Sequence, residues 1–460
     1  MDTAPKTIKQ FPRRHLLTTA AAGLASYSVG LGISPASSAA EAKTFYVSNA
    51  GNDDAYGESP ETAWATLARV KRAVGARRIN RGDRILFRAG DEWFGDITWV
   101  VPSSGTDPHL TFSSYGSGPK PKISRYKICN NPSSWVKHAT NIWKIDLTSG
   151  SGAFTGNIES NSTNVGFIRV GGTIYGCKRW TLSLMQYRWD FFSDERFLYV
   201  YSVSNPATVA DFRAAVAGNI INAASSMTVR GLELVGTGGH GFWVSNGCGN
   251  IRLEDTIIRE IGGSALPGSY QTRYGNGVEL WIGSWDVTVT NNQISDVYDV
   301  AVTMQGKQSS TLLGWRNCTV SGNRIDRCTQ AFEVWSEGII SGSGSGHINC
   351  LFQNNTCTRS GYSWGMLFRP AKNGQGTHIL FYTTQLNCDI QISGNTFDDA
   401  FMNYCYFLYT PPKDLVMNRN TIRLKAGIPV QHQIQKYTVE RHLEWSQFTG
   451  LELESSFQVI

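Results

Sequence analysis

Segments that alternate apolar and polar residues recur between about residue 225 and residue 425 of the chain. Examples are Val287-Thr288-Val289, Cys318-Thr319-Val320 and Ile390-Gln391-Ile392. A period of two is typical of a strand with one buried face, whereas a helical repeat would show a period near 3.6. The pattern therefore predicts coils that are made of short strands.

Each of these segments leads into a bend that carries an asparagine. The phrases read VTNNQI, VSGNRI, FQNNTC, ISGNTF and MNRNTI, and their equivalent residues are Asn292, Asn323, Asn355, Asn395 and Asn420. Spacings of 31, 32, 40 and 25 residues indicate a solenoid with loops of different length. Stacked asparagines can hydrogen-bond to one another and so satisfy amides buried at a corner. Asparagine is also a generic turn former, but that property does not explain the shared register.

With this repeat, the chain resembles the right-handed parallel β-helix proteins, the group of pectate lyases, polygalacturonases and other polysaccharide-active enzymes. The resemblance extends to TFYVSNAGND (44–53), AWATLARV (63–70), GDRILFRAGDEW (82–93) and WDFFSDERFLYVYSVSNP (189–206). It implies an all-β, right-handed parallel β-helix solenoid with an N-terminal cap helix and an inserted β-rich subdomain. It leaves the reaction open, because hydrolases, lyases, epimerases and binding proteins share this scaffold.

Five parts are expected along the chain. They are an export signal (1–42), an N-terminal cap with the first coils (43–125), an inserted β-rich subdomain (126–215), the main coils (216–425) and a C-terminal cap (426–460). The cap helix is predicted to start at Ser59-Pro60-Glu61, with Trp64, Leu67, Val70 and Val74 on one face. Such caps cover the exposed core and strand edges of a solenoid.

The first 42 residues have the features of an export signal. Arg13-Arg14 precede a weakly apolar run and a small-residue stretch that ends at Ala42, as in a twin-arginine signal. Pro12 departs from the usual Ser or Thr, so an ordinary secretion signal is the alternative. We expect a periplasmic or secreted protein without a membrane span. Cleavage after Ala42 would lower the net charge from +6 to +4, a small surplus that argues against a nucleic-acid partner.

The chain contains nine cysteines, an odd number, so at least one cannot pair within the molecule. Cys318, Cys350 and Cys388 are predicted to stack as a buried ladder. Because no CxxC pair occurs, neither a zinc site nor a redox site is expected.

A second strand is predicted in each coil, over GFWVS (241–245), GVELW (277–281), AVTMQ (301–305), AFEVW (331–335), GMLFR (365–369) and YCYFL (404–408). Side chains alternate along a strand, so the outward positions are Trp243, Glu279, Thr303, Glu333, Leu367 and Tyr406, and then Ser245, Trp281, Gln305, Trp335, Arg369 and Leu408. Aromatic rings in a row beside carboxylates suit the apolar faces of sugars and glycosidic chemistry. The face therefore predicts a glycan groove, unless long loops bury the tryptophans and solvent surrounds the carboxylates.

Glu279 and Glu333 are the predicted catalytic pair, with Asp299 as a helper and Asp296 as a more distant candidate. They lie two rungs apart, which separates their backbones by about 10 Å. An inverting glycosidase separates its carboxyl groups by roughly 6.5 to 9.5 Å and a retaining one by about 5 to 5.5 Å, so the spacing favours inversion. Which carboxyl is the acid depends on the environment that raises its pKa, which the sequence does not give.

The predicted substrate contacts are Arg369, Gln305 and His240, with Trp243, Trp281 and Trp335 as sugar platforms. No metal and no cofactor is expected for this hydrolase, whose partner is a polysaccharide; the sequence does not indicate an oligomeric state.

Two alternatives stay open. A polysaccharide lyase would cleave a uronate polymer by β-elimination, using Arg369, His240, Lys307 and Gln305 with calcium. However, the central strands carry one outward Arg and no Lys, and no calcium motif of pectate lyases is found. A non-catalytic glycan-binding protein would retain the aromatic row and would not need Glu279 and Glu333.

Overall fold

Three parallel sheets, each running the length of one long stack, form the body of the protein. They are seen in a computed structural model that describes residues 41–460 except 101–102, 104, 158–159, 270, 310, 312–313, 339–344, 370–374 and 385–386. The predicted export signal therefore lies almost wholly outside the described residues. Successive coils contribute strands to these sheets in turn, which is the solenoid that the repeat predicts, and the third sheet begins later in the stack than the other two.

The first sheet contains, in order, Thr44–Val47, Arg84–Arg88, Leu110–Tyr115, Met227–Arg230, Gly249–Glu254, Trp285–Thr290, Gly314–Arg316, Gly346–Gln353, Cys388–Ser393 and Val416–Asn418, with Thr319–Ser321 beside Trp285–Thr290. The second contains Glu92–Phe94, Lys122–Ser124, Glu233–Thr237, Ile257–Ile261, Gln293–Val297, Arg324–Asp326, Thr356–Thr358, Thr396–Asp398, Thr421–Leu424 and Ser456–Val459. The third, named the pocket sheet below, contains Ile221–Ala223, Phe242–Val244, Val278–Trp281, Val300–Lys307, Gln330–Glu337, Thr377–Thr384 and Asn403–Phe407.

A single hydrophobic core runs inside the stack from Phe45 to Leu451. The strand positions that were predicted to point inward on the pocket sheet are fully buried, at Phe242, Val278, Val302, Phe332 and Cys405. Period-two alternation thus places every second side chain in the core and leaves the others for the outer face.

The asparagine ladder forms at the bend between the first and second sheets. Asn323 shows the pattern: its Nδ2 donates to Oδ1 of Asn355 at 2.9 Å and to the carbonyl of Val289 at 2.9 Å. Its backbone N–H donates to the same Oδ1 at 3.0 Å. Beyond Asn420 the ladder ends on the buried carboxylate of Glu452, an acceptor that the repeat does not reveal.

Helices lie near both ends of the stack. The N-terminal helix spans Leu67–Gly75 and follows a short 3-10 turn at Pro60–Thr62. The prediction placed the helix start too early, because Thr66 caps the helix by accepting the N–H of Arg69. Trp64 precedes the helix and is buried beside the first strand rather than on a helical face. The C-terminal helix spans His442–Thr449 after a 3-10 turn at Val439–Arg441.

Two antiparallel sheets of four strands interrupt the coils. One contains Tyr126–Ile128, Val165–Val170, Thr173–Tyr175 and Phe212–Val216, and the other contains Val136–Ala139, Ile142–Asp146, Phe191–Ser193 and Phe197–Tyr201. Further 3-10 turns span Pro132–Ser134, Leu182–Leu184 and Pro206–Thr208. The sheets share a core of their own that runs from Cys129 to Val216. The strands of this inserted subdomain fall between Tyr126 and Val216.

One predicted strand is wrong. The segment GMLFR lies in the short helix Trp364–Leu367 and the residues after it, because Ser363 caps a helical turn there. The strand of this coil is Thr377–Thr384, so Leu380 and not Leu367 pairs in register with Glu333. Leu367 is instead exposed on the helix.

All nine cysteines are free, and Cys318, Cys350 and Cys388 are buried as expected for the predicted ladder. Within the described residues, no helix has the length and apolar character needed to cross a membrane.

Candidate active site

The outward face of the pocket sheet brings most of the predicted site residues together. Trp243, Glu279, Thr303 and Glu333 are consecutive register partners on four neighbouring strands. Trp281, Gln305 and Trp335 form a second row in register, two residues further along each strand. The two rows are those that the sequence pattern predicts, and Glu279 and Glu333 lie two rungs apart.

These rows form the floor of a pocket of about 690 Å³. The predicted residues that line it are Glu279, Glu333, Asp299, Arg369, Gln305, His240, Trp243, Trp281 and Trp335. Further lining residues include Asn219, Tyr274, Asn276, Gln330, Gln375 and Tyr382. These nine predicted residues thus share one cavity.

Glu279 is almost completely buried and has polar neighbours at both carboxylate oxygens. Oε2 lies 2.8 Å from Nδ1 of His240 and accepts a 2.8 Å hydrogen bond from Nδ2 of Asn276. Oε1 accepts a hydrogen bond from Nε2 of Gln305 at 3.0 Å. Burial acts to raise the pKa of Glu279, but the His240 charge and these hydrogen bonds outweigh it and lower the pKa below 4.5.

Nδ1 of His240 has two neighbours, one of which requires it to accept a hydrogen bond and the other to donate one. The backbone N–H of Asn276 points at Nδ1 from 3.1 Å, and the Glu279 carboxylate lies at 2.8 Å. A neutral imidazole nitrogen either accepts or donates, so one proton between Nδ1 and Oε2 must be held by the histidine or by the glutamate. His240, predicted as a substrate contact, is therefore also a direct partner of Glu279.

Glu333 has the opposite environment. Burial, the nearby charge of Asp299 and the charge of Glu279 together raise its pKa well above 4.5, and Arg369 only partly offsets them. These surroundings favour the protonated form of Glu333 over its ionised form, relative to a free glutamic acid. The two glutamates of one pocket thus differ in the direction of their pKa shifts.

Asp299 precedes the strand between the two glutamates and forms an ion pair with Arg369. Nη2 of Arg369 lies 3.1 Å from Oδ1 of Asp299 and 3.0 Å from the carbonyl of Tyr298, while Nη1 donates to Oε1 of Gln375 at 2.6 Å. The guanidinium also lies 4.6 Å from the centre of the Tyr298 ring. The sequence had placed Arg369 on a strand. In the structure it reaches the pocket from the residues after a short helix.

A loop next to the pocket sheet builds one wall of the pocket, and the inserted subdomain holds it. This loop contains the hairpin Ser264–Ala265 with Arg273–Tyr274. Arg273 donates to the carbonyls of Gly166 at 2.7 Å and Gly176 at 3.0 Å, both in the subdomain. Asn164 of the subdomain exchanges two hydrogen bonds with Ala265. The subdomain therefore fixes the wall that places Tyr274 in the pocket.

Some candidates lie elsewhere. Lys307, a residue of the lyase alternative, does not line the pocket and pairs with Glu337 at 3.4 Å. Asp296 forms a double hydrogen bond with Arg327 and also lies outside the pocket. In the described part of the chain, no group of three or more His, Cys, Asp or Glu side chains is arranged to hold a metal ion.

Sequence reasoning missed several pocket residues. Asn276 precedes its strand and Gln330 is the first residue of another, and both come before the segments for which the sequence pattern gave a facing direction. Tyr274, Gln375 and Asn219 come from loops of irregular length, which the repeat does not align. One signal was available: Asn276 precedes Glu279 by three residues in NGVE, a short polar approach to a buried carboxylate.

No family model and no curated protein sequence matches the chain. The fold is similar to the structure of XylC in complex with xylose, at 10% identity over 90% of this chain and 82% of that chain, with a TM-score of 0.51. It is also similar to the GH136 lacto-N-biosidase from Eubacterium ramulus, at 10% identity over 91% and 68% and a TM-score of 0.38. Pectate lyase Pel9A matches at 12% identity over 84% and 73%, with a TM-score of 0.46.

The chain is a right-handed parallel β-helix. This confirms the fold that the asparagine repeat predicts and, at the level of the fold, the resemblance to polysaccharide-active β-helix proteins. Identities near 10% indicate a shared fold and nothing about the reaction, because this fold hosts many chemistries. The function of this β-helix must therefore be argued from its own pocket.

Proposed function

We propose that this protein is an exported polysaccharide-degrading glycoside hydrolase, with Glu333 as general acid and Glu279 as general base. The observation that carries the proposal is the opposite direction of the two pKa shifts in one pocket. Pairs of carboxyl groups whose environments push their pKa values apart divide acid and base roles between them. Protonated Glu333 would donate to the leaving oxygen, and ionised Glu279 would activate a water molecule.

The spacing supports inversion of the anomeric carbon. Glu279 and Glu333 have one strand between them, so their backbones are about 10 Å apart. Thr303 occupies the position between them and is shorter than either glutamate. A separation of this size is nearer to that of an inverting pair than to the roughly 5 to 5.5 Å of a retaining pair.

The charges of the pocket favour hydrolysis over elimination. A lyase needs a positive group to neutralise the uronate carboxylate of its substrate. The guanidinium of Arg369 is already paired with Asp299, that of Arg273 donates to the carbonyls of Gly263, Gly176 and Gly166, and Lys307 lies outside the pocket. Trp281 and Trp335, with ring centres 6.3 Å apart, provide apolar surface for sugar rings instead.

The test is incubation of the protein with a panel of neutral and acidic glycans, following reducing ends and the ultraviolet absorbance of unsaturated uronates in parallel. Hydrolysis gives new reducing ends without that absorbance. Glu279→Gln and Glu333→Gln should abolish the signal. Glu337→Gln is the matched control, because Glu337 lies on the strand of Glu333 but pairs with Lys307 outside the pocket.

Three results would contradict the proposal. Both signals together would identify a lyase, and glycan binding without either signal would identify a binding protein. Wild-type product yield from the two glutamine variants would remove Glu279 and Glu333 from the chemistry. Nuclear magnetic resonance of the first product tests inversion, because an inverting enzyme releases the anomer opposite to that of the substrate.

Export rests on residues 1–42 and has a separate test. Expression of the full chain in a bacterium with twin-arginine export should yield a shortened protein outside the cytoplasm. Arg13→Lys together with Arg14→Lys should retain it in the cytoplasm; continued export of this variant would indicate an ordinary secretion signal.

A further inference from the structure

Gln330 is the first residue of the strand that carries Glu333 and Trp335, and it lines the same pocket. The side chain is 1% exposed, and its carboxamide oxygen is buried without a hydrogen-bond partner. The amide nitrogen of Gln330 also makes no hydrogen bond among the described residues. A buried amide without a partner is unusual, because folded proteins satisfy nearly all such groups.

The other amides of the pocket differ from Gln330. The side-chain oxygen of Asn219 accepts the N–H of His240, and that of Asn276 accepts the N–H of Val300. The oxygen of Gln375 accepts Nη1 of Arg369. These three amides are thus used by the protein itself, whereas the carboxamide oxygen of Gln330 has no partner within the protein.

A second unsatisfied group belongs to another residue that lines the pocket. Nε of Arg369 is buried and has no hydrogen-bond partner, although both Nη atoms are paired. Gln330 and Arg369 are both bonded to Asp299, since the backbone N–H of Gln330 donates to the Asp299 carbonyl at 3.2 Å and Arg369 pairs with the Asp299 carboxylate. Two pocket residues that are both bonded to Asp299 therefore each keep one unused group, an acceptor on Gln330 and a donor on Arg369.

We propose that Gln330 is a specificity-determining residue, whose carboxamide binds a ring hydroxyl of a neutral sugar held beside Glu333, with Nε of Arg369 as the second partner. A hydroxyl group both donates and accepts, so it satisfies the oxygen of Gln330 and the N–H of Arg369 at once. The Arg369 charge is already compensated by Asp299, so this corner suits a neutral hydroxyl better than a carboxylate. The assignment of a sugar ligand rests on the proposed function.

Calorimetric titration of the full chain tests the assignment by binding, without relying on turnover. The probes are the methyl β-glycosides of xylose, glucose and galactose and their monodeoxy derivatives. The wild type should bind one parent glycoside and lose about tenfold to hundredfold in affinity when one particular hydroxyl is removed. Gln330→Met should bind the parent as weakly as the deoxy derivative, and so lose the preference for that hydroxyl.

Two variants separate binding from a structural role. Gln308→Met is the matched control, because Gln308 is also a buried glutamine whose amide atoms have no partner, but it does not line the pocket. It should retain both the affinity and the hydroxyl preference. Gln330→Glu keeps an acceptor oxygen at the site and should restore at least part of the preference, even if Gln330→Met unfolds.

Retention of the hydroxyl preference by Gln330→Met would overturn the assignment, and so would its loss in Gln308→Met. Failure of the wild type to bind any of these glycosides would overturn it as well. Failure of the proposed function looks different: the wild type would bind the glycosides with this preference but would release no reducing ends from any glycan.

Discussion

The corner that carries the asparagine ladder and the outer face of the pocket sheet follow the same rung spacing, but they use their polar groups in opposite ways. Along the ladder each asparagine repeats the same hydrogen bonds, and Nδ2 of Asn323, for example, is fully used. On the pocket sheet the hydroxyl of Thr303 and the carboxamide oxygen of Gln330 are buried without partners, and so is Nε of Arg369, which enters the pocket from the residues after a short helix. Repetition at one corner stabilises the stack, and departure from repetition on the other face creates a binding site.

The two regions have opposite effects on the stability of the folded state. A ladder of satisfied amides gains from every added rung, because each new asparagine pairs with the previous one. Two glutamates and one aspartate in one pocket oppose that gain, because buried like charges raise the free energy of the folded state. Changes on the pocket face should therefore alter catalysis with little loss of stability, and changes in the ladder should do the reverse.

The largest effect is expected from Glu333→Gln. Loss of the general acid should lower kcat by about 10²-fold to 10⁴-fold on a substrate with a poor leaving group. The unfolding temperature should stay the same or rise, because glutamine removes a carboxyl group whose ionisation Asp299 and Glu279 oppose. Steady-state kinetics and thermal denaturation check both parts. A large fall in the unfolding temperature would contradict the contrast between the two regions.

Asn355→Ala should have the reverse effect. The change removes an amide that donates to Asn395 and Val320 and accepts from Asn323, and so leaves buried backbone and side-chain groups unpaired. We expect a loss on the order of 3 kcal/mol in the free energy of unfolding. Denaturant titration measures it, with Asn246→Ala at an exposed turn as control. Activity per folded molecule should be unchanged; a selective loss of activity would link the ladder to the site.

Much of this contrast could be predicted from the sequence. The asparagine register and the outward rows of the pocket sheet are set by period-two patterning and a shared bend, and both are local properties of the sequence. Leu367 was misplaced because a serine cap at Ser363 favours a helical turn where the apolar run suggested a strand. Loop geometry was beyond prediction, so the contacts of Asn276 and Gln330 were not foreseen.

The direction of each pKa shift was also beyond the sequence. Glu279 and Glu333 occupy equivalent positions on strands of the same pattern, and Asn276 before Glu279 is the one nearby residue that separates them. Burial acts to raise the pKa of both glutamates. His240 and Gln305 outweigh it at Glu279, whereas the charge of Asp299 adds to it at Glu333, and these three residues reach the pocket from other coils. A carboxylate's role is thus set by contacts between coils, while its place on the face is set within one coil.

A smaller effect is expected at the aromatic platform. Trp335→Ala removes a ring that lines the pocket floor next to Trp281, and stacking on a sugar ring should be lost with it. KM should rise about tenfold, which corresponds to roughly 1.4 kcal/mol of binding free energy, while kcat changes little. Trp285→Ala on the first sheet, outside the pocket, is the control. An unchanged KM for Trp335→Ala would exclude this ring as a platform.

The smallest effect, and the sharpest test of the two roles, is expected from Gln305→Leu. Gln305 donates to Oε1 of Glu279 at 3.0 Å and contributes to lowering its pKa, so loss of this bond should raise the pKa. Activity requires ionised Glu279 and protonated Glu333. It therefore falls on the acidic limb, where the pH drops through the pKa of Glu279, and on the alkaline limb, where the pH rises through the pKa of Glu333. In a plot of kcat/KM against pH, the acidic limb should move upward by about one pH unit or less, and the alkaline limb should stay in place. Movement of the alkaline limb alone would mean that Glu279 is the acid and that the two glutamates exchange roles.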